Sequence, residues 1–204
     1  MRAAVLSLAA VAATACTEQR TQGDELFGSW SQVDVGTAVG QQWLFRDDLT
    51  FEKSGELTGA GTFFVEGRQL TVEDFPDPQG ADRLAFNYVA TTSHWLETAA
   101  FAVGPVRGRV GTWRGTSENL VDQLHLDVTF DLRADGSAHE TRRVTGPDTD
   151  ELCEGEGTWA DSPTGSSFRV TLTIVCPDQT FTGSHQLWRL GDAIGGPLYE
   201  RVSF

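Results

Sequence analysis

Apolar and polar residues alternate most regularly between Cys153 and Cys176, and the alternation predicts a β-hairpin. With a turn over Ser162–Gly165, Trp159 falls opposite Val170, Gly157 opposite Leu172, Gly155 opposite Ile174 and Cys153 opposite Cys176. Side chains two apart share a face of a strand. Cys153, Gly155, Gly157 and Trp159 therefore join Val170, Leu172, Ile174 and Cys176 on one apolar face. Glu154, Glu156, Thr158, Arg169, Thr171 and Thr173 make the other face polar. A slip of one residue would invert both strands, so the pattern selects this register and with it a Cys153–Cys176 disulfide. The first half carries a similar run, GAGTFFVEGRQLTV (59–72). A tight Glu66–Gly67 turn there sets Phe63 against Leu70 and Gly61 against Val72. The segment LHLDVTFDL (124–132) alternates as well, with Leu124, Leu126, Val128, Phe130 and Leu132 apolar and Gln123, His125, Asp127 and Asp131 polar. Short alternating runs punctuated by glycine-rich turns recur along the chain, and no helical period appears after the N-terminal run.

The runs also repeat. FGSW (27–30), WLFRDDLTFE (43–52), GAGTF (59–63) and QLTV (69–72) are matched in order by VGTW (110–113), FDLRADGSAHE (130–140), GEGTW (155–159) and FRVTL (168–172). YVATTSHWL (88–96) and FTGSHQLW (181–188) each place a Ser-His pair near an aromatic late in a half, at what read as equivalent points. Repetition of this kind divides the chain into two β units, over 26–104 and 108–204, with the boundary in VGPVRGRVG (103–111). The expected fold is an antiparallel all-β meander. It forms either two tandem small barrels or one barrel or sandwich built from two similar halves.

The N-terminus reads differently. Met1-Arg2 precedes thirteen uncharged residues, AAVLSLAAVAATA, and then Cys16. The run is shorter than the roughly 20 residues a transmembrane helix needs, and its charged start and small-residue end fit a secretory leader over 1–15. A cysteine at the cleavage point resembles the lipobox of bacterial lipoproteins, although Ala13 stands where that family prefers Leu. The resemblance implies that Cys16 becomes the N-terminus and carries acyl chains such as palmitate. The chain would then be held to a membrane by lipid, with residues 16–25 as a polar, flexible tether. It also implies the bacterial cell envelope. Thr17 beside the cysteine resembles outer-membrane lipoproteins, whose inner-membrane counterparts usually carry Asp there. Only three cysteines occur, so lipidation of Cys16 leaves an even pair for the disulfide.

Composition narrows the partners. Against 29 acidic residues stand 15 basic ones, for a net charge of −14, which phosphate backbones repel; nucleic-acid binding is excluded. Lys53 is the only lysine, so Schiff-base chemistry has no other candidate.

Gly28-Ser29-Trp30 and Gly111-Thr112-Trp113 each open a half, followed by F/L-R-x-D turns and GxGTW/F. This order is similar to the lipocalin-like (calycin-type) domains of many bacterial lipoproteins. The resemblance implies that Trp30 and Trp113 are structural, at the closed end of a barrel, and that an Arg from a last strand lies across the Trp. Arg189 and Arg201 are both candidates, and the first half ends without one.

Candidate chemistry is sparse. His139-Glu140 lacks a second His at helical spacing and follows the Asp135-Gly136 turn, so it reads as a surface pair. DTDELCEGE (148–156) lacks the spacing of a calcium loop and reads as a solvated loop. His94 and His185 read as ordinary hydrogen-bonding residues. No catalytic, metal or cofactor site is expected. The expected function is binding of a small hydrophobic ligand or an envelope component. The alternative is a structural or inhibitory surface protein whose interior is filled by Trp43, Phe51, Phe63, Trp113 and Trp159.

Overall fold

The computed structural model describes residues 23–33, 40–55, 58–74 and 83–203. The expected leader 1–15, Cys16 and the tether through residue 22 lie outside them. The first half supplies β1 (Gly28–Gln32), β2 (Gln42–Phe45), β3 (Thr50–Ser54), β4 (Gly59–Glu66), β5 (Gln69–Glu73), β6 (Arg83–Asn87), β7 (Val89–Ala90), β8 (His94–Leu96) and β9 (Ala100–Ala102). The second supplies β10 (Gly111–Asn119), β11 (Leu124–Leu132), β12 (Ser137–Gly146), β13 (Thr149–Asp161), β14 (Ser167–Val175), β15 (Thr180–Leu190), β16 (Ala193–Gly195) and β17 (Leu198–Ser203). All strands pair antiparallel, within one continuous sheet.

The pairing closes two rings, and the halves exchange strands to close them. β1 to β8 follow one another around the first ring, with β6 and β7 as one strand interrupted at Tyr88; β17 then fits between β8 and β1. β9 to β16 make the second ring, closed where β9 pairs with both β16 and β10. Each ring thus has eight strands, a size whose interior side chains can fill or one small ligand can occupy. The rings touch through β10 and β6 and through a small apolar cluster of Leu96, Ala99, Trp188 and Ala193.

The hairpin of β13 and β14 adopts the expected register: Gly155 faces Ile174, Gly157 faces Leu172 and Trp159 faces Val170. Beyond the ladder, Cys153 and Cys176 form a disulfide with their Cα atoms 4.3 Å apart. Gly157 is required there, because a Cβ would lie 1.9 Å from the Thr171 carbonyl oxygen. Gly61 makes the same approach to the Glu73 carbonyl. The hairpin of β4 and β5 differs from expectation. Glu66 faces Gln69 and Phe63 faces Val72, a shift of two residues. Gly67, at φ 60°, is the first central residue of the turn, where a left-handed backbone suits glycine. A two-residue shift keeps every side chain on its face, so the apolar pattern could not detect it.

The two Gly-x-Trp motifs build the same device. Gly28 and Gly111 take positive φ, 122° and 147°, and turn the chain so that each indole reaches back four residues. Trp30 Nε1 donates to the Leu26 carbonyl at 2.6 Å, and Trp113 Nε1 to the Arg109 carbonyl at 3.0 Å. Both indoles are fully buried. Each of the two candidate arginines covers one of them. Arg201, on β17, stacks 4.3 Å from Trp30 and donates to the Phe27 and Glu25 carbonyls. Arg189, on β15, lies 5.9 Å from Trp113 and donates to the Gly108 and Gly191 carbonyls. The Arg missing from the first half therefore arrives with the exchanged strand. Glu25, assigned to the tether, is folded against the barrel and accepts a hydrogen bond from the Tyr88 hydroxyl.

Candidate functional site

The repeat places different side chains at equivalent interior positions, and the two barrels differ accordingly. Cross-strand pairs Trp43–Lys53 and Phe45–Phe51 of the first barrel correspond to Phe130–Glu140 and Leu132–Ala138 of the second. In the first barrel the aromatics meet. Trp43 stacks on Phe45 at 5.2 Å, Phe45 meets Phe63 edge-on at 4.9 Å, and Trp95 stacks on Tyr199 at 4.6 Å. Such pairs add about 0.5–1.5 kcal/mol each beyond burial. These aromatic rings pack the centre of the interior, and a pocket of about 720 Å³ opens beside them, lined by Trp30, Trp43, Lys53, Ser54 and Gly59. The barrel's polar content is a small network: Lys53 lies 4.5 Å from the Trp43 ring, and the Tyr199 hydroxyl donates to Glu97 at 2.7 Å. Burial pushes the Glu97 carboxyl above its ordinary range, against the pull of Lys53 and the Tyr199 hydroxyl.

Smaller residues leave the second barrel open. A cavity of about 620 Å³ is walled by Leu126, Val128 and Phe130 of β11, Arg142 of β12 and His185 and Leu187 of β15. A volume of this order is in the usual range for a small-molecule site. Its opening follows from strand length. β9 pairs with β10 only over Trp113–Gly115, and β16 with β15 only over Trp188–Leu190. Past these ends β10 and β15 part, and Gly115–Ser117 and Ser184–Trp188 flank the gap, with Thr98–Ala100 and Ile194–Pro197 at its lip. Leu126, Val128 and Phe130 are only half-buried although they face inward, because empty space lies over them.

Polar groups in this interior are few and specific. Glu140 is wholly buried; its Oε1 accepts from Arg142 Nε at 2.9 Å and lies 2.7 Å from Nη2 as an ion pair. The expected surface pair is therefore split. His139 faces outward, 3.9 Å from Glu156, while Glu140 points into the barrel over Gly155, whose Cβ would sit 3.4 Å from that of Glu140. Glu140 Oε2 and His185 Nε2 are both sealed from solvent without a hydrogen-bond partner. The two histidines are not equivalent. His94 stands on β8 with its Nδ1 2.9 Å from the Ser93 hydroxyl, whereas His185 pairs across β15 with Val170, the position Leu84 takes in the first barrel.

The remaining candidates are structural. Asp127 faces outward, and its hydrogen bonds with Arg114 hold its carboxyl below the usual range. His125 meets Glu118 at 3.2 Å, and Asp131 meets Arg133 at 3.1 Å. The stretch 148–156 is mostly strand β13 rather than loop, with Asp150 held by Arg143. Of the five aromatics weighed for a filled interior, Trp43, Phe51, Phe63 and Trp113 are buried, while Trp159 is half-buried and donates to the Arg133 carbonyl. Among the described residues no group of three His, Cys, Asp or Glu side chains converges as a metal site. Compared with known proteins, the chain matches no family model, no curated protein and no solved structure.

Proposed function

We propose that the chain is a lipocalin-like, lipid-anchored protein of the bacterial envelope that carries a small, largely apolar ligand in its second barrel. The observation that carries this reading is the cavity of about 620 Å³ with its wall of Leu126, Val128 and Phe130. Two sealed polar atoms beside it, on Glu140 and His185, lack partners within the protein. The lipocalin-like part of the reading rests on the paired Gly-x-Trp and arginine devices around two eight-stranded rings. The anchored part rests on Cys16 following the leader 1–15, with palmitate as the expected acyl chain and the outer membrane as its place. In this arrangement the first barrel, with its aromatic interior, is the rigid platform, and the second holds the cargo. A structural or inhibitory surface role without a ligand is favoured by the first barrel taken alone, since aromatic rings pack its centre.

Mass spectrometry of the protein purified from its native membrane tests the reading. The expected result is a polypeptide that begins at Cys16 with acyl mass added, and a further non-covalent mass that leaves on denaturation. Val128→Trp, which fills the cavity, should abolish the second mass and spare the first. A native protein without any departing mass would leave the platform reading standing and remove the carrier. A chain beginning before Cys16, or at it without acyl mass, would remove the anchor.

A further inference from the structure

We propose that the ligand of the second barrel carries an uncharged head group that both accepts and donates hydrogen bonds, an alcohol or a primary amide on an apolar body, held between Arg142 and His185. This rests on the carrier reading and specifies its cargo.

The cavity wall divides into an apolar part and two polar side chains. Arg142 lines the cavity while its Nε and Nη2 are engaged with Glu140 Oε1. A guanidinium has five N–H donors, so those that remain can serve an acceptor in the cavity. His185 also lines the cavity; its Nε2 is unpartnered but lies beneath the wall, so the ring must turn on binding to present it. Either imidazole tautomer suits a hydroxyl or amide, which can give or take the proton of the hydrogen bond. The head group must therefore accept from Arg142 and can exchange either role with His185.

Charge decides which head fits. Glu140 is fully buried against Arg142, so the pair is neutral and offers no spare positive charge to a carboxylate or phosphate. Bringing an anion in would place an uncompensated charge in a low-dielectric interior, within a chain of net charge −14. An ammonium head would instead face the guanidinium that lines the wall. A neutral, hydrogen-bonding head avoids both penalties and, once the His185 ring turns, gives the unpartnered nitrogen a partner.

The test compares probes with one chain length and different heads: decanol, decanamide, decanoate, decylammonium and decane. Binding to the full mature protein in lipid nanodiscs is measured by equilibrium dialysis, with empty nanodiscs subtracting partition. Decanol and decanamide should bind at least about tenfold more tightly than the two ions and than decane, the scale of one or two lost hydrogen bonds. His185→Leu should weaken decanol about fivefold or more and leave decane unchanged. Glu140→Gln should expose the Arg142 charge and raise decanoate affinity about tenfold or more, with little effect on decanol. His185→Leu carries the test if that variant does not fold. Decanoate or decylammonium binding the wild type as tightly as decanol would overturn the head-group inference. So would decane doing so, and in each case the carrier reading would stand. Failure of every probe to bind would remove both.

Discussion

The strand exchange makes a strong claim about energetics: neither barrel should open alone. Removing the disulfide is a local perturbation with which to test it. Cys153 and Cys176 lie 23 residues apart in sequence, and on the loop-entropy relation a crosslink of that span stabilises the folded chain by about 3.4 kcal/mol. Both cysteines belong to the second barrel, far along the chain from the first. If the second half unfolds, however, β17 leaves with it. That strips Tyr199 from its stack on Trp95 and Arg201 from Trp30. It also leaves β1 and β8 with unpaired edges. Truncating a large buried aromatic alone costs about 3–5 kcal/mol, so the first barrel loses more than a typical fraction of a domain's stability.

Native-state hydrogen exchange followed by mass spectrometry reads each barrel separately. In Cys153→Ala/Cys176→Ala, amides of β2 to β5 should exchange faster by the same factor as those of β12 to β15. For global opening that factor is about 300-fold, the equivalent of about 3.4 kcal/mol. Acceleration confined to β12–β15, with β2–β5 unchanged, would refute the reasoning. The barrels would then be separate cooperative units despite sharing strands.

Other expectations follow from single side chains. Arg201→Met should destabilise by about 3 kcal/mol in urea unfolding, since two charge-assisted hydrogen bonds and a stacked indole are lost; Arg189→Met, more exposed and farther from its Trp, should cost about 1 kcal/mol. Leu49 holds φ 64° where the second half has Gly136 at 82°, so Leu49→Gly should raise stability by about 1 kcal/mol, the relief of a left-handed backbone; a loss on thermal unfolding would contradict this. Gly157→Ala should destabilise by about 3 kcal/mol or more, because the new methyl meets a backbone oxygen that the ladder holds in place; a calorimetric midpoint close to wild type would show that β14 can yield. Glu97 has its folded pKa raised by burial. Its ionisation therefore weakens the fold as pH rises above the unfolded value of about 4.3. The stability of Glu97→Gln relative to wild type should grow from that pH until the raised folded value is passed, and a flat difference up to pH 8 would defeat the assignment.

How much the sequence disclosed depended on chemical landmarks. The β13–β14 register was legible because cysteines and glycines sit at set offsets along both strands, and only one alignment satisfies all of them. The β4–β5 hairpin lacks such marks, so alternation defined the faces and left the offset free by two. Strand exchange was not legible, because β9 is only three residues long and the partners of β9 and β17 are distant in sequence. The cavity polar pair was within reach. Once the Asp135-Gly136 turn sets Ala138 opposite Leu132, Glu140 must face Phe130 and Arg142 must face Val128. Both are then interior positions. Reading His139-Glu140 as adjacent letters of a motif concealed that strand neighbours point to opposite sides.

The buried charges explain why two similar halves ended with different interiors. Lys53 and Glu140 hold the same register position, each facing an aromatic on the preceding strand, and each requires a compensating charge to be tolerated inside. Lys53 finds it in Glu97, beyond β8, with Tyr199 of the exchanged β17 completing the network. That solution draws groups from opposite walls into the centre of the first barrel. Glu140 finds it in Arg142, two residues along its own strand. A partner on the same wall satisfies the charge without crossing the lumen. The space opposite is then free, with His185 in its wall. On the carrier proposal, the direction from which compensation comes leaves the second lumen to the ligand, and a double exchange would test it. Arg142→Met with Glu140→Met should leave the cavity open with His185 still in its wall, so decane binding would persist while the preference for decanol over decane falls about fivefold or more. Retention of the full preference would mean that the head group is read by some other part of the wall.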